Sequence, residues 1–144
     1  MEKDKNLKSY VQKIPLYKFF FMNIPPGYQT IMPYLIIKDA AKFAEFTKKV
    51  FNAEEKDRHM RDEKIIMHAE VMIGGSTIMF ADATAQFTER TTGLFVYVEN
   101  ADETFQKALD EGATSLMPPA DHPYGRSGGV IDPFGNTWWI TTPL

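Results

Sequence analysis

The stretch Ile65-Ile66-Met67-His68-Ala69-Glu70-Val71-Met72-Ile73, followed by Gly74-Gly75 and then Ser76-Thr77-Ile78-Met79-Phe80-Ala81, decides the fold. Two β-rich runs flank a glycine pair, the pattern of antiparallel strands joined by a tight turn. Just upstream, Glu54 to Asp62 is polar and charged, the composition of an exposed strand. Further back, Thr30 to Ile37 is apolar and β-rich and reads as a strand, with Pro33 tolerated near its start or on an edge. Between these strands Phe43, Phe46, Val50 and Phe51 recur at helical spacing, with Asp39 expected as the N-cap and Asn52 as a left-handed stop. The order is strand, helix, three strands.

The second half repeats that order. Leu94 to Val98 is a strand, Asn100 an N-cap, and Ala101, Phe105, Ala108 and Leu109 an apolar helical face that ends at Gly112. A Pro/Gly-rich segment from Pro118 to Gly129, expected as a loop, precedes Val130-Ile131, the turn Asp132-Pro133-Phe134-Gly135 and a last strand from Asn136 to Thr142. An offset of 60 to 61 residues lays Ile37 on Val98, Asp39 on Asn100, Gly75 on Gly135 and Thr77 on Thr137. Such a repeated order of elements is how an internal duplication shows itself. One helix covers only one face of a four-stranded sheet, so a lone βαβββ unit leaves the other face bare. The expected architecture is therefore α+β: two paired βαβββ modules, about 28–86 and 90–144, forming a curved mixed sheet around a shared cavity within a single domain spanning 28–144.

Composition narrows the function. The chain of 144 residues carries 16 basic and 19 acidic side chains, a formal charge of −3, with no basic cluster in the body to neutralise phosphates, so nucleic acid is not an expected partner. Zero cysteines exclude a thiolate nucleophile, a disulfide framework and cysteine-ligated zinc or iron–sulfur sites. Any metal would have to use carboxylates and the three histidines, His59, His68 and His122. No apolar run approaches the ~20 residues that span a bilayer, and no membrane partner is expected.

Residues 1–27 differ from the rest: five lysines, then Phe19-Phe20-Phe21-Met22, then Pro25-Pro26-Gly27. Pro15, Lys18 and Asn23 interrupt what would have to be the apolar core of a secretory signal, and no small-residue cleavage site follows. The segment is expected to be an N-terminal extension, flexible or packed against a neighbour, with Met22 as an alternative natural start; the location expected is cytoplasmic.

The duplicated βαβββ order, Asp132-Pro133-Phe134-Gly135-Asn136 before the last strand, Met67-His68-Ala69-Glu70, and the opening Gly27-Tyr28-x-Thr30-x-x-Pro33-Tyr34-Leu35 together resemble the vicinal-oxygen-chelate superfamily. That superfamily holds glyoxalase I, bleomycin- and fosfomycin-resistance proteins and extradiol dioxygenases; the PhnB-like branch is the nearest in character. The resemblance covers Gly27 to Leu144. It implies the paired-module fold and a homodimer.

It also implies where a metal would sit. The superfamily's metal enzymes place a ligand on the first strand of each module and a Glu on the last, positions that fall here on Met32, Gly93, Met79 and Trp139. A thioether, an indole and a missing side chain do not replace oxygen or imidazole donors for a divalent ion. No metal ligand and no cofactor are expected, with an atypical divalent site as the alternative.

His68 and Glu70 are the pair able to do chemistry. Two residues apart on a strand, they project from the same face with Cα atoms about 7 Å apart. The opposite face, Ile65, Met67, Ala69, Val71 and Ile73, is apolar and expected under the helix; the repeat offset matches the pair with Gly128 and Val130. His68 as base or donor with Glu70 orienting it stands beside the reading of a structural hydrogen-bonded pair. Arg126 suits an anionic group, or a surface ion pair. Met32, Tyr34, Met79, Phe95, Tyr97 and Trp139 are expected to face inward, as the lining of an apolar or aromatic site or simply as filling. His59, in a charged run ending at Arg61, is expected to be solvated. The expected function is metal-independent binding of a small, partly apolar or aromatic molecule. The alternative is a lyase- or isomerase-type enzyme using His68 and Glu70, or an atypical divalent metal.

Overall fold

In the computed structural model, which describes residues 23–144, the chain runs β1 (Tyr34–Ile37), α1 (Ala40–Phe51), β2 (Glu54–Met60), β3 (Ile66–Ile73), β4 (Ser76–Asp82), β5 (Gly93–Tyr97), α2 (Ala101–Asp110), β6 (Thr114–His122), β7 (Gly125–Ile131) and β8 (Thr137–Pro143). The extension and the alternative start at residues 1–22 lie outside the described residues. Each repeat builds one four-stranded mixed sheet, ordered β1-β4-β3-β2 and β5-β8-β7-β6, with the first strand of each repeat parallel to its last. The paired βαβββ reading is therefore met. Among the described residues no helix is long and apolar enough to cross a membrane.

Strand alternation settles which face each sheet buries. Leu35 and Ile37 on β1, Ala69 and Val71 on β3, and Phe80 on β4 are buried, while Phe43, Ala44 and Val50 of α1 meet them. In the second sheet Trp138, Ile140 and Val130 are buried with Phe105 and Ala108 of α2. The helices join the two halves. Phe43 packs edge-on against Phe80 of its own module and Phe134 of the other, with ring centroids 5.0 and 5.6 Å apart, and Phe51 lies 4.5 Å from Trp138. Each such buried ring contributes about 1.5–3 kcal/mol, so the modules are fastened by aromatic packing across the repeat boundary. Packed core joins the modules, and two hollows open on the surface: one within the first module and one lined by residues of both.

Four local expectations are corrected. β1 starts at Tyr34 because Pro33 has no N–H for a ladder; its carbonyl still accepts from Met79 N at 3.0 Å. Pro118 to Gly129 is mostly β6 and β7, with a turn at Pro123-Tyr124; β6 is an edge strand, where Pro118 and Pro119 are tolerated beside a register shift between Met117 and Ala120. Met67 does not lie under the helix and is 49% exposed.

The fourth concerns the helix start. Asp39 is left-handed (φ 55°) and its side chain makes no cap; the Ala40 N–H is taken instead by Asp82 Oδ1 at 2.9 Å. The second repeat does the same with Thr142 Oγ1, which accepts from Ala101 N at 2.7 Å, while Asn100 caps as expected through Glu103 N. Asn52 (φ 54°) supplies the left-handed stop of α1.

Candidate functional site

The face of the first sheet that turns away from α1 carries Tyr34, Met79, His68 and Glu70, and it is here that polar groups converge. Glu70 is 5% exposed, an ionisable group that burial would ordinarily neutralise. Its two oxygens are matched instead: Oε1 lies 2.9 Å from His68 Nε2, and Oε2 accepts from Tyr28 Oη at 2.5 Å. Burial pushes its pKa up, but the hydrogen bonds from His68 and Tyr28, aided by the nearby Lys56 charge, outweigh this and hold it below the usual glutamate range.

An ionised carboxylate can only accept, so His68 Nε2 carries the proton of that contact. In the neutral ring Nδ1 is then bare, and Tyr34 Oη stands 3.0 Å from it as donor. The result is a continuous chain, Tyr34–His68–Glu70–Tyr28. Both phenols are biased to keep their protons: Tyr28 by its hydrogen bond to Glu70 and by burial, Tyr34 by burial and then by the Glu70 charge.

Tyr28 is set in place by the segment before it. Gly27, in the left-handed region at φ 83°, turns its carbonyl to Thr77 Oγ1 at 2.5 Å and Lys56 Nζ at 3.3 Å, and Gln29 Oε1 accepts from Thr77 N at 3.2 Å. Lys56 Nζ also sits 3.9 Å above the Tyr28 ring, a cation–π contact. The sequence shows Gly27-Tyr28 as part of a family motif but gives no sign that the phenol reaches residue 70.

Beside Tyr34 a cavity of about 500 Å³ opens between β1, β3, β4 and the connector after β4. Ile36, Ile66, Met67, Ala81 and Phe87 give it apolar walls, and Arg61, Asp82 and Thr84 its polar points. A second hollow, of about 410 Å³, runs along the free edge of β5, where Phe95 and Tyr97 face Pro33, Ile73 and Ile78. Tyr34 thus lines the first hollow, and Phe95 and Tyr97 the second. Met32 lies in the irregular segment before β1, and Met79 is half-buried beside Tyr34.

In the second module the hydrogen-bonded register corrects the expected correspondence. Gly129 pairs with Trp139 as Glu70 pairs with Met79, so the counterparts of His68 and Glu70 are Ser127 and Gly129 rather than Gly128 and Val130. The turn Pro133-Phe134-Gly135 between the paired Asp132 and Asn136 is one residue longer than Gly74-Gly75 and shifts the count. The half-buried Trp139 ring fills the place of a side chain at 129: a Cβ there would lie 2.6 Å from Cζ3. Arg126 stands apart from all of this. Its guanidinium is held by Asp102, with Nη2 2.9 Å from Oδ1, and by Asp121 at 3.0 Å, the surface pairing that was one of its two readings. These carboxylates raise its pKa further. His59 is exposed and hydrogen-bonded to Asp57 at 2.8 Å.

A family model described as the Glyoxalase/Bleomycin resistance protein/Dioxygenase superfamily matches residues 28–140. The chain belongs to that superfamily. An uncharacterized protein of Mycobacterium bovis is 32% identical over 135 residues, covering 85% of this chain and 87% of the relative. Among solved structures, TioX from Micromonospora sp. ML1 superposes with a TM-score of 0.67 at 24% identity, covering 81% of this chain and 99% of TioX. A PhnB protein from Bacillus cereus superposes with a TM-score of 0.64 at 25% identity, covering 79% and 99%. The metal chemistry of some superfamily members does not fit the donors present here. Register sets Tyr34 beside Met79 and Phe95 beside Trp139, no oxygen or imidazole donor occupies Met32, Gly93, Met79 or Trp139, and among the described residues no group of three or more His, Cys, Asp or Glu is placed to hold an ion.

Proposed function

We propose that this superfamily member binds a small, partly apolar or aromatic molecule without a metal ion, seated in the cavity beside Tyr34. The observation that carries the reading is the cavity itself. At about 500 Å³ it falls in the range of small-molecule sites, and its walls are aliphatic and aromatic with few polar points, the composition that removes apolar surface from water while fixing orientation. A ligand that selects the folded state raises the melting temperature. A thermal-shift screen of apolar and aromatic small molecules should find such ligands, with affinities unchanged by EDTA and lost in Ala81→Trp, which fills the cavity. A screen without hits, or affinity that depends on added metal, would sink the reading.

A homodimer belongs to the same reading. Phe95 and Tyr97 on the edge strand β5 are 52% and 65% exposed, and a second copy laid over them would cover apolar surface that a monomer leaves wet. Light scattering at micromolar concentration tests this. The setting proposed is cytoplasmic, which cell fractionation checks.

The Tyr34–His68–Glu70–Tyr28 chain favours a second reading, an acid–base enzyme of lyase or isomerase type. Glu70 fixes the His68 tautomer, His68 takes or returns the Tyr34 proton, and Tyr34 meets the substrate at the cavity wall. Under this reading Tyr34→Phe abolishes turnover while leaving binding intact. Under the first reading no turnover exists to lose.

A further inference from the structure

We infer that the molecule held in the cavity beside Tyr34 is an anion with an apolar body, its carboxylate or comparable acidic group paired with Arg61. The inference rests on the proposed binding site and names the chemical class of its ligand. Arg61 lines the cavity at the connector between β2 and β3, where its own N–H closes a turn onto the Ile65 carbonyl at 2.8 Å. Among the described residues its guanidinium has no ion-pair or hydrogen-bond partner, whereas Arg58, Arg90 and Arg126 all spend theirs on protein acceptors.

Neither acidic group close to Arg61 is hydrogen-bonded to its guanidinium, although the backbone N–H groups of Lys64 and Ile65, helped by the Arg61 charge, hold the neighbouring Asp62 carboxyl below its usual range. Asp62 Oδ1 accepts the backbone N–H groups of Lys64 and Ile65 at 2.8 and 2.9 Å. Asp82, the acidic residue in the cavity wall, gives Oδ1 to Ala40 N and Oδ2 to Ile66 N at 2.9 and 2.7 Å. The cavity therefore presents one guanidinium whose hydrogen-bond donors are unused by the described residues, against walls of Ile36, Met67, Ala81 and Phe87. A guanidinium offers a planar fork of donors that matches a carboxylate bidentately; Arg61 is exposed at the cavity rim, where it can meet the acidic end of a ligand whose apolar body lies against the walls. A neutral ligand would leave this fork to solvent; a cationic one would be repelled.

The test uses isosteric pairs on the full chain: naphthalene-2-carboxylate against naphthalene-2-carboxamide, and decanoate against decanamide, with affinities read by calorimetry. The expected result is that the carboxylate of at least one pair binds about tenfold or more tightly than its amide, the scale of a hydrogen bond to a charged group. Arg61→Gln should erase that preference while leaving the amide's affinity within about twofold, and Arg61→Lys should keep part of it. Equal affinity of acid and amide for the unaltered protein, or equal loss of both in Arg61→Gln, would overturn the inference and leave the binding site standing. No binding by any of the four would overturn both.

Discussion

The Trp138 indole donates its Nε1–H to Asp132 Oδ2 at 2.8 Å from inside the core, and the same carboxylate accepts from Phe134 N, Asn136 N and Asn136 Nδ2 at 2.9, 2.9 and 3.0 Å. One buried acid thus folds the Asp-Pro-Phe-Gly-Asn turn and anchors the largest side chain of the interface between modules. Asp132→Ala strands these donors away from water and should cost about 3 kcal/mol or more, read as a lower urea midpoint with an unchanged slope.

Trp139 and Gly129 form a complementary pair. Gly129→Ala forces a methyl to within 2.6 Å of the ring and should destabilise by about 1–3 kcal/mol, as overpacking does. Trp139→Leu in the same chain should recover part of that loss; an additive double mutant would show that the ring is not what residue 129 meets.

The two aspartates flanking α1 should respond oppositely to substitution. Asp82→Ala removes the acceptor of Ala40 N and should lower stability by about 1–2 kcal/mol. Asp39→Gly relieves a left-handed residue whose side chain caps nothing, and should be neutral or raise the melting temperature.

Glu70 sets an acid limb of stability. Its folded pKa is depressed, so the stability it contributes is present above the ordinary value of about 4.3 and is lost as pH falls through the folded value. Denaturation curves from pH 6 down to pH 3 should show a shallower decline in Glu70→Gln than in the unaltered protein. Equal slopes would mean that the carboxylate gains nothing from His68 and Tyr28 on folding.

Periodicity carried the architecture. The glycine pair at 74–75, the aromatic spacing in α1 and the repeated order of elements need only local pattern, and all three stand in the structure. Contacts between residues distant in sequence were not legible. That Asp82 rather than Asp39 caps α1, that Tyr28 reaches Glu70 across 42 positions, and that Trp139 fills the place above Gly129 all depend on how distant segments come together, and in the second module one extra turn residue also shifts the register. His68 and Glu70 were visible because two residues on one strand share a face. Arg61 was not, since a charged run gives no sign that one of its members edges a cavity.

Each helix start is latched by a residue from the final strand of its own repeat, Asp82 for α1 and Thr142 for α2. For a chain emerging from the ribosome, the first helix can be sealed once residue 82 is out, long before translation ends. The second stays unsealed until residue 142 has followed, so the order of synthesis becomes an order of closure.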